Sequence, residues 1–308
     1  MAADLMSLSS KGSGKQSNRD REGQRAATRQ YSEYGEEPRS AADSSERGEG
    51  IGLNANRKPL SVAVITLNEE ERLADCLASV AFADEIVVVD SGSSDRTVAI
   101  AEAHGARVIT QAWLGFGRQK QFAIDQCRHQ WVLVLDADER IPPATAQEIT
   151  AVLRQPAHVA YSLPRQNFFC GRWLKHAGWW PDRVVRLFDR TQARMSDRLV
   201  HEGLVVDGPV GQLQGVIVHQ ANRDIAHTLA KINDYSSAGA AELAKSGRKG
   251  SPWQAAARSA WAFVHNYLLR RGFLDGKEGF VQAVCDAVNV FFKHAKLWES
   301  GRRKDRGA

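Results

Sequence analysis

The folding options of this chain narrow at Leu60, where the run LSVAVITL places β-branched and aliphatic residues on both faces with no polar alternation. A strand apolar on both faces belongs in a parallel sheet covered by helices on each side. The pattern repeats downstream. EIVVVD, from Glu85 to Asp90, reads as a second strand, Ala106 to Ile109 as a short third, and WVLVL, from Trp131 to Leu135, as a fourth running into Asp136. Helices are expected between them over Asn68 to Val80, Arg96 to His104 (capped by Ser94 or Asp95) and Gly117 to Cys127. Strand and helix in alternation define an α/β fold. Beyond Asp138 a helix is expected over Ile141 to Leu153 and strands at Ala160 to Pro164 and VVRLF. Three helices should follow, over Ile225 to Lys245, Pro252 to Arg271 and Lys277 to Glu299.

Residues 1–58 are rich in Ser, Gly, Arg and Glu with few large apolar side chains, so this stretch is expected to be a disordered extension. The expected domains are 59–222 as the α/β domain, 223–300 as a helical region and 301–308 as a basic tail. The net charge of +5 admits nucleic acid, an anionic membrane surface or a phosphorylated substrate. Nucleic acid is set aside, because the basic residues accompany no groove-reading or base-stacking motif. The four cysteines are scattered, which points to a reducing compartment and a cytoplasmic location. No uncharged segment is long enough to span a bilayer, so any membrane contact is peripheral.

Ligands of a parallel sheet bind beyond the carboxyl ends of its strands, where loops diverge and helix N-termini present free N–H groups. Three polar clusters fall there: Thr66-Leu67-Asn68-Glu69, Asp90-Ser91 with the turn to Asp95, and Asp136-Ala137-Asp138-Glu139. Asp95 reads as a helix cap and Asp90 as a contact to a nucleobase or ribose. The spacing of Asp136 and Asp138 lets two carboxylates approach one hard cation that still accepts phosphate oxygens. An acidic turn with no ligand has the same spacing, so the tripeptide does not identify a site alone.

The strings AVITLNEE, VVVDSGSSDRT and VLVLDADE, in this order and strand context, resemble the family 2 inverting glycosyltransferases of GT-A fold. The resemblance covers about Leu60 to Asn222. WWPDRVVRLFDR, LVHE, IVHQ and GFLDGKEGF extend it to bacterial lipopolysaccharide-core glycosyltransferases that glucosylate inner-core heptose. It implies a Rossmann-like, nucleotide-sugar-binding, mostly parallel sheet flanked by helices, with a helical C-terminal extension. A UDP-sugar donor, expected to be UDP-glucose, would contact Thr66, Asn68, Glu69, Asp90, Ser91, Asp136, Ala137, Asp138 and Gly178. Asp138 and His219 would hold Mg2+ or Mn2+, with His201 the alternative imidazole, and Asp136 would hold ribose or a metal-bound water. Glu202 is the expected catalytic base, with Asp182 as the alternative; Arg118 and Lys120 are candidate diphosphate contacts. The acceptor would be a lipid-linked saccharide, and the Gln-x-x-Arg-Trp string of processive members is absent.

Two helical faces, Trp253/Ala257/Trp261/Val264/Leu268 and Phe280/Val284/Val288/Phe291, are strongly apolar. Interleaved Arg258, Arg270, Arg271, Lys277, Lys293 and Lys296 make them suited either to core packing or to an anionic leaflet. The rival readings are transfer to a polyprenyl phosphate or another glycan, and a non-catalytic nucleotide-sugar-binding module.

Overall fold

The computed structural model describes residues 57–196, 203–222 and 224–306. In chain order the first half comprises β1 (Leu60–Thr66), α1 (Leu73–Ser79), β2 (Glu85–Asp90), α2 (Thr97–Ala103), β3 (Arg107–Thr110), α3 (Phe116–Gln126) and β4 (Trp131–Asp136). These four strands lie in the order β3-β2-β1-β4, all parallel, with Thr66 beside Asp90 and Ile65 beside Asp136. That register aligns the polar clusters along one sheet edge, as the strand assignment requires. Val62, Val64, Leu133 and Leu135 are fully buried on one face, and Val87, Val89 and Val132 on the other. The doubly apolar strands are thus covered on both sides.

The second half is not parallel throughout. β5 (Glu139–Arg140) and α4 (Pro143–Val152) precede β6 (Ala160–Phe169), β7 (Arg172–Trp173) and β8 (Asp182–Asp189). β9 (Ala193–Met195) and β10 (Leu204–Val206) form a separate antiparallel pair. β11 (Val210–Gln212) and β12 (Ile217–Asn222) complete the strands. β8 inserts antiparallel between β4 and β6, and β12 lies parallel to β6 and antiparallel to β5. The sheet is therefore mixed, with a parallel half that carries the nucleotide-fold signature.

Several boundaries differ from the periodicity. The first helix begins at Leu73 rather than Asn68, because Asn68 takes a positive φ of 55°. Its backbone N–H donates to Ser93 Oγ, so the segment serves as a bridge to the second loop. β6 extends to Phe169, well beyond the apolar core of its sequence. The expected cap at Asp95 is present in function: its Oδ1 accepts from the Thr97 N–H at the start of α2.

The C-terminal helices are α5 (Ile225–Lys245), α6 (Pro252–Phe263) and α7 (Gly276–Arg306). A π-helical segment at Val264–Leu269 replaces the last turns expected of the second helix, and a short 3-10 turn at Gly272–Asp275 follows it. α6 and α7 pack together, as do α5 and α7. Asp275 locks the junction: its carboxylate accepts from the Lys175 and His176 N–H groups and pairs with His176 Nδ1 at 2.8 Å. No helix among the described residues is long and apolar enough to cross a membrane. All four thiols are free, as their scatter implies, and burial pushes the Cys127 thiol up to about 12.

Candidate active site

A cavity of about 1220 Å3 opens over the carboxyl edge of β1 and β4 and continues between α5 and α7. Thr66, Glu69, Asp136, Ala137, Asp138 and His219 all line it. The remaining donor candidates do not line it. Asp90 is 2% exposed, its Oδ2 accepts from the Gly92 and Ser93 N–H groups, and its Oδ1 accepts from Thr66 Oγ1. Asn68 Oδ1 accepts from the Ser94 N–H, and Ser91 Oγ accepts from Gln119. Asp90 and Asn68 tie the first two strand-end loops together, and Ser91 ties the second to α3. Gly178 also lies off the cavity, which its neighbour Trp179 lines, and a Cβ at Gly178 would come within 2.6 Å of Arg270 Nη1.

A network of buried charges surrounds Asp136. Arg186 Nη2 lies 2.6 Å from Asp136 Oδ2 and 2.6 Å from Glu139 Oε1, and Lys120 Nζ is 2.7 Å from Asp136 Oδ1. Arg186 falls where β8 carries an extra residue against β6, since Tyr161 pairs with Leu187 and Ser162 with Val185. A bulge of that kind re-aims a side chain within a sheet. Burial by itself pushes the Asp136 carboxyl up, but Lys120 and Arg186 outweigh it and hold the group well below the usual carboxylate range. With both oxygens paired, Asp136 is a poor direct ligand for a cation. Lys120, one of the two basic residues singled out on the third helix, is buried in this network, whereas Arg118 is exposed.

Asp138 is placed differently. Its Oδ2 lies 3.5 Å from Arg72 Nη1 and its Oδ1 3.5 Å from His219 Nε2. The β-sheet register sets His219 between Asn167 of β6 and Glu139 of β5. Asn167 Nδ2 donates to Trp179 O and to Asp182 Oδ2, which turns its Oδ1 toward His219 Nδ1 at 2.6 Å. Nδ1 is therefore set to donate to this amide oxygen, and Nε2 faces a carboxylate oxygen of Asp138. A proton on Nε2 or a cation between the two groups satisfies that facing pair. Burial raises the Asp138 carboxyl, while the hydrogen bond and charge of His219 bring it below the usual value.

Among the described residues no three His, Cys, Asp or Glu side chains cluster closely enough to hold a metal alone. Asp138 and His219 fit a divalent cation as a two-ligand set that leaves positions for phosphate oxygens and water. Glu202 and His201 lie outside the described residues. Asp182 lines the cavity, with Arg165 Nη2 at 2.6 Å and Asn167 Nδ2 at 3.1 Å from its Oδ2. The periodicity passed over Arg186, Asn167, Arg165 and Lys231, all of which line this wall. Arginine inside the apolar string RVVRLF was the available signal for the first.

Residues 61–204 match the family model described as glycosyl transferase family 2. The chain belongs to that glycosyltransferase family. An uncharacterized glycosyltransferase of Rickettsia typhi is 33% identical over 255 residues, covering 79% of this chain and 87% of the relative. A lipopolysaccharide core biosynthesis glycosyltransferase, LpsC of Rhizobium meliloti, is 31% identical over 261 residues, covering 80% of this chain and 95% of the relative. Among solved structures, mannosyltransferase PcManGT from Pyrobaculum calidifontis, in complex with GDP-Man and Mn2+, aligns with 15% identity and a TM-score of 0.48. The alignment covers 82% of this chain and 90% of that one.

Two outcomes follow from the charge network. Arg186→Met leaves Asp136 and Glu139 without their shared partner, and denaturant unfolding at pH 7 should show a loss of about 3–5 kcal/mol. The lowered Asp136 carboxyl sets the sign of the acid response. A folded-state value below the unfolded one of about 3.9 gives stability that is complete at neutral pH and disappears as the pH falls through about 4 and below. Asp136→Asn should flatten that acid limb, measured by urea unfolding at successive pH values.

Proposed function

We propose that the chain is a metal-dependent inverting glycosyltransferase that moves glucose from UDP-glucose to a lipopolysaccharide inner-core sugar such as heptose. The observation that carries this reading is the imidazole of His219, oriented by Asn167 and facing Asp138 Oδ1 across 3.5 Å in the wall of the cavity. Likeness to LpsC supports the choice of a lipopolysaccharide-core acceptor. The donor diphosphate is expected against this pair, where Lys231 adds positive charge and donates to Ala221 O. A bound Mg2+ or Mn2+ would offset the charge of the departing diphosphate. Asp90 acts on the uridine end through the loop it orders, and Asp136 through its hold on Lys120.

For the base, Glu202 is preferred. Its covalent neighbour Gly203 lines the cavity, as does Met195 before the intervening segment. Asp182 has a competing task, since its Oδ2 fixes Arg165 and the amide that orients His219. A carboxylate at Glu202 would take the acceptor hydroxyl proton as that oxygen attacks the anomeric carbon opposite the diphosphate. One displacement inverts the centre, so an α-linked donor yields a β-linked product.

Peripheral attachment to the cytoplasmic face of a membrane completes the reading. Trp253, Trp261, Val264 and Leu268, expected on one helical face, are all exposed, Trp253 by 86%. Leu269, Phe273 and Leu274 are exposed beside Arg270, Arg271 and Lys277. Apolar and basic side chains together suit a leaflet of anionic lipid.

Thermal melting with UDP-sugars and Mn2+ tests the donor site. UDP-glucose should raise the melting temperature of the wild type, and Asp138→Ala should abolish the metal-dependent part of the rise. Glu202→Gln should keep that rise while kcat falls roughly 100- to 10,000-fold. Full activity in Glu202→Gln would transfer the base role to Asp182, and no stabilisation by any nucleotide sugar would remove the function. Flotation with vesicles containing phosphatidylglycerol should recover the full chain, and Trp261→Ser with Leu269→Ser should reduce recovery; equal recovery with neutral vesicles would count against the anionic surface.

A further inference from the structure

The part of the cavity that runs between the C-terminal helices carries chemistry of another kind. Gln282, Asp286 and Asn289 line it from α7 at spacings of four and three, which sets them on one face of the helix. Gln282 is 6% exposed, and its Nε2 donates to Asp286 Oδ1 at 3.0 Å. Its Oε1 is turned the other way, buried and without a protein partner, and Asn289 Oδ1 is in the same condition. Asp286 Oδ2 accepts from Asn266 Nδ2 at 2.9 Å, which holds the carboxylate in place. Tyr235 of α5 lines the same space and is half exposed.

We infer that this stripe is the acceptor subsite and takes an uncharged, hydroxyl-rich sugar ring. Buried acceptor oxygens without partners are costly in a folded protein, and hydroxyl donors from a ligand would satisfy them. A diphosphate cannot serve, being itself all acceptors, and it is drawn to Lys120, Lys231 and Arg186 at the sheet end of the cavity. An acidic sugar would set its carboxylate against Asp286. A neutral pyranose supplies several O–H groups at once, and its C–H face matches the Tyr235 ring. The cavity is thereby divided by charge: cations and the Asp138–His219 pair at the strand ends, amide and carboxylate acceptors at the helices.

The inference rests on the glycosyltransferase reading, and the test separates the two. Calorimetric titration of the full chain uses a deacylated, heptose-containing inner-core oligosaccharide with no nucleotide present. Melting with UDP-glucose and Mn2+ is measured on the same proteins. Wild type should bind the oligosaccharide, and Asn289→Leu and Gln282→Met should weaken that binding about tenfold or more. Asn289→Leu removes an oxygen that has no partner, so its own melting temperature should stand near the wild-type value, whereas Gln282→Met also removes the donor to Asp286 and should melt lower; the response of both to UDP-glucose should persist. The assignment is overturned by variant affinities within about twofold of wild type, by a wild type that takes the donor but not the oligosaccharide, or by variants that lose the donor response. A wild type that binds the oligosaccharide but no nucleotide sugar would instead sink the transferase reading and leave the subsite standing.

Discussion

The guanidinium of Arg186 is the group on which the arrangement of this site depends. It neutralises Asp136 and Glu139 at 2.6 Å each, and Glu139 in turn accepts from the Asp136 N–H. Two carboxylates at the end of one buried strand would repel each other and be costly to desolvate without it. With it, the β4 end is held in a shape that leaves Asp138 turned toward the cavity. The same Glu139 lies beside His219 through the pairing of β5 with β12. One buried cation therefore sets both the structural and the ligand-facing member of the Asp-Ala-Asp triplet.

A second chain of contacts fixes the imidazole. Arg165 holds Asp182, Asp182 accepts from Asn167, and Asn167 accepts from His219 Nδ1. Each link has one sensible direction of donation, so Nδ1 is committed to Asn167 and Nε2 is left facing Asp138. This is the ordering of outer groups that commonly orients a metal-binding histidine. The arrangement explains why β6 must run to Phe169: a strand ending at Pro164 would not reach Asn167.

The C-terminal helices are both wall and surface. α5 and α7 close the cavity with polar residues, and the outer face around α6 shows tryptophan and leucine to solvent. Helical periodicity marks an apolar stripe but is silent on what covers it. Here the stripe read from Trp253 to Leu268 lies outside, while burial on α6 centres on Ala255. Size and hydrophobicity alone would have placed the tryptophans in the core.

Much of the first half was legible in the sequence. Runs of Val, Ile and Leu without alternation demand a sheet covered on both faces, and parallel pairing then puts Thr66, Asp90 and Asp136 at one edge. The family strings pointed to both Asp138 and His219, 81 positions apart, and the fold brings them within 3.5 Å of each other. What the sequence could not decide was the division of labour among neighbours. Asp90 and Asp136 look as available as Asp138 in the string, yet turn amides and two cations occupy them. The antiparallel insertion of β8, and the bulge that aims Arg186 inward, come from strands distant in the chain and leave no periodic trace. Local patterning determined which residues stand at the strand ends; only tertiary pairing determined which of their charges are spent on holding the site and which remain for a ligand, because a carboxylate's availability depends on partners brought to it from elsewhere in the fold.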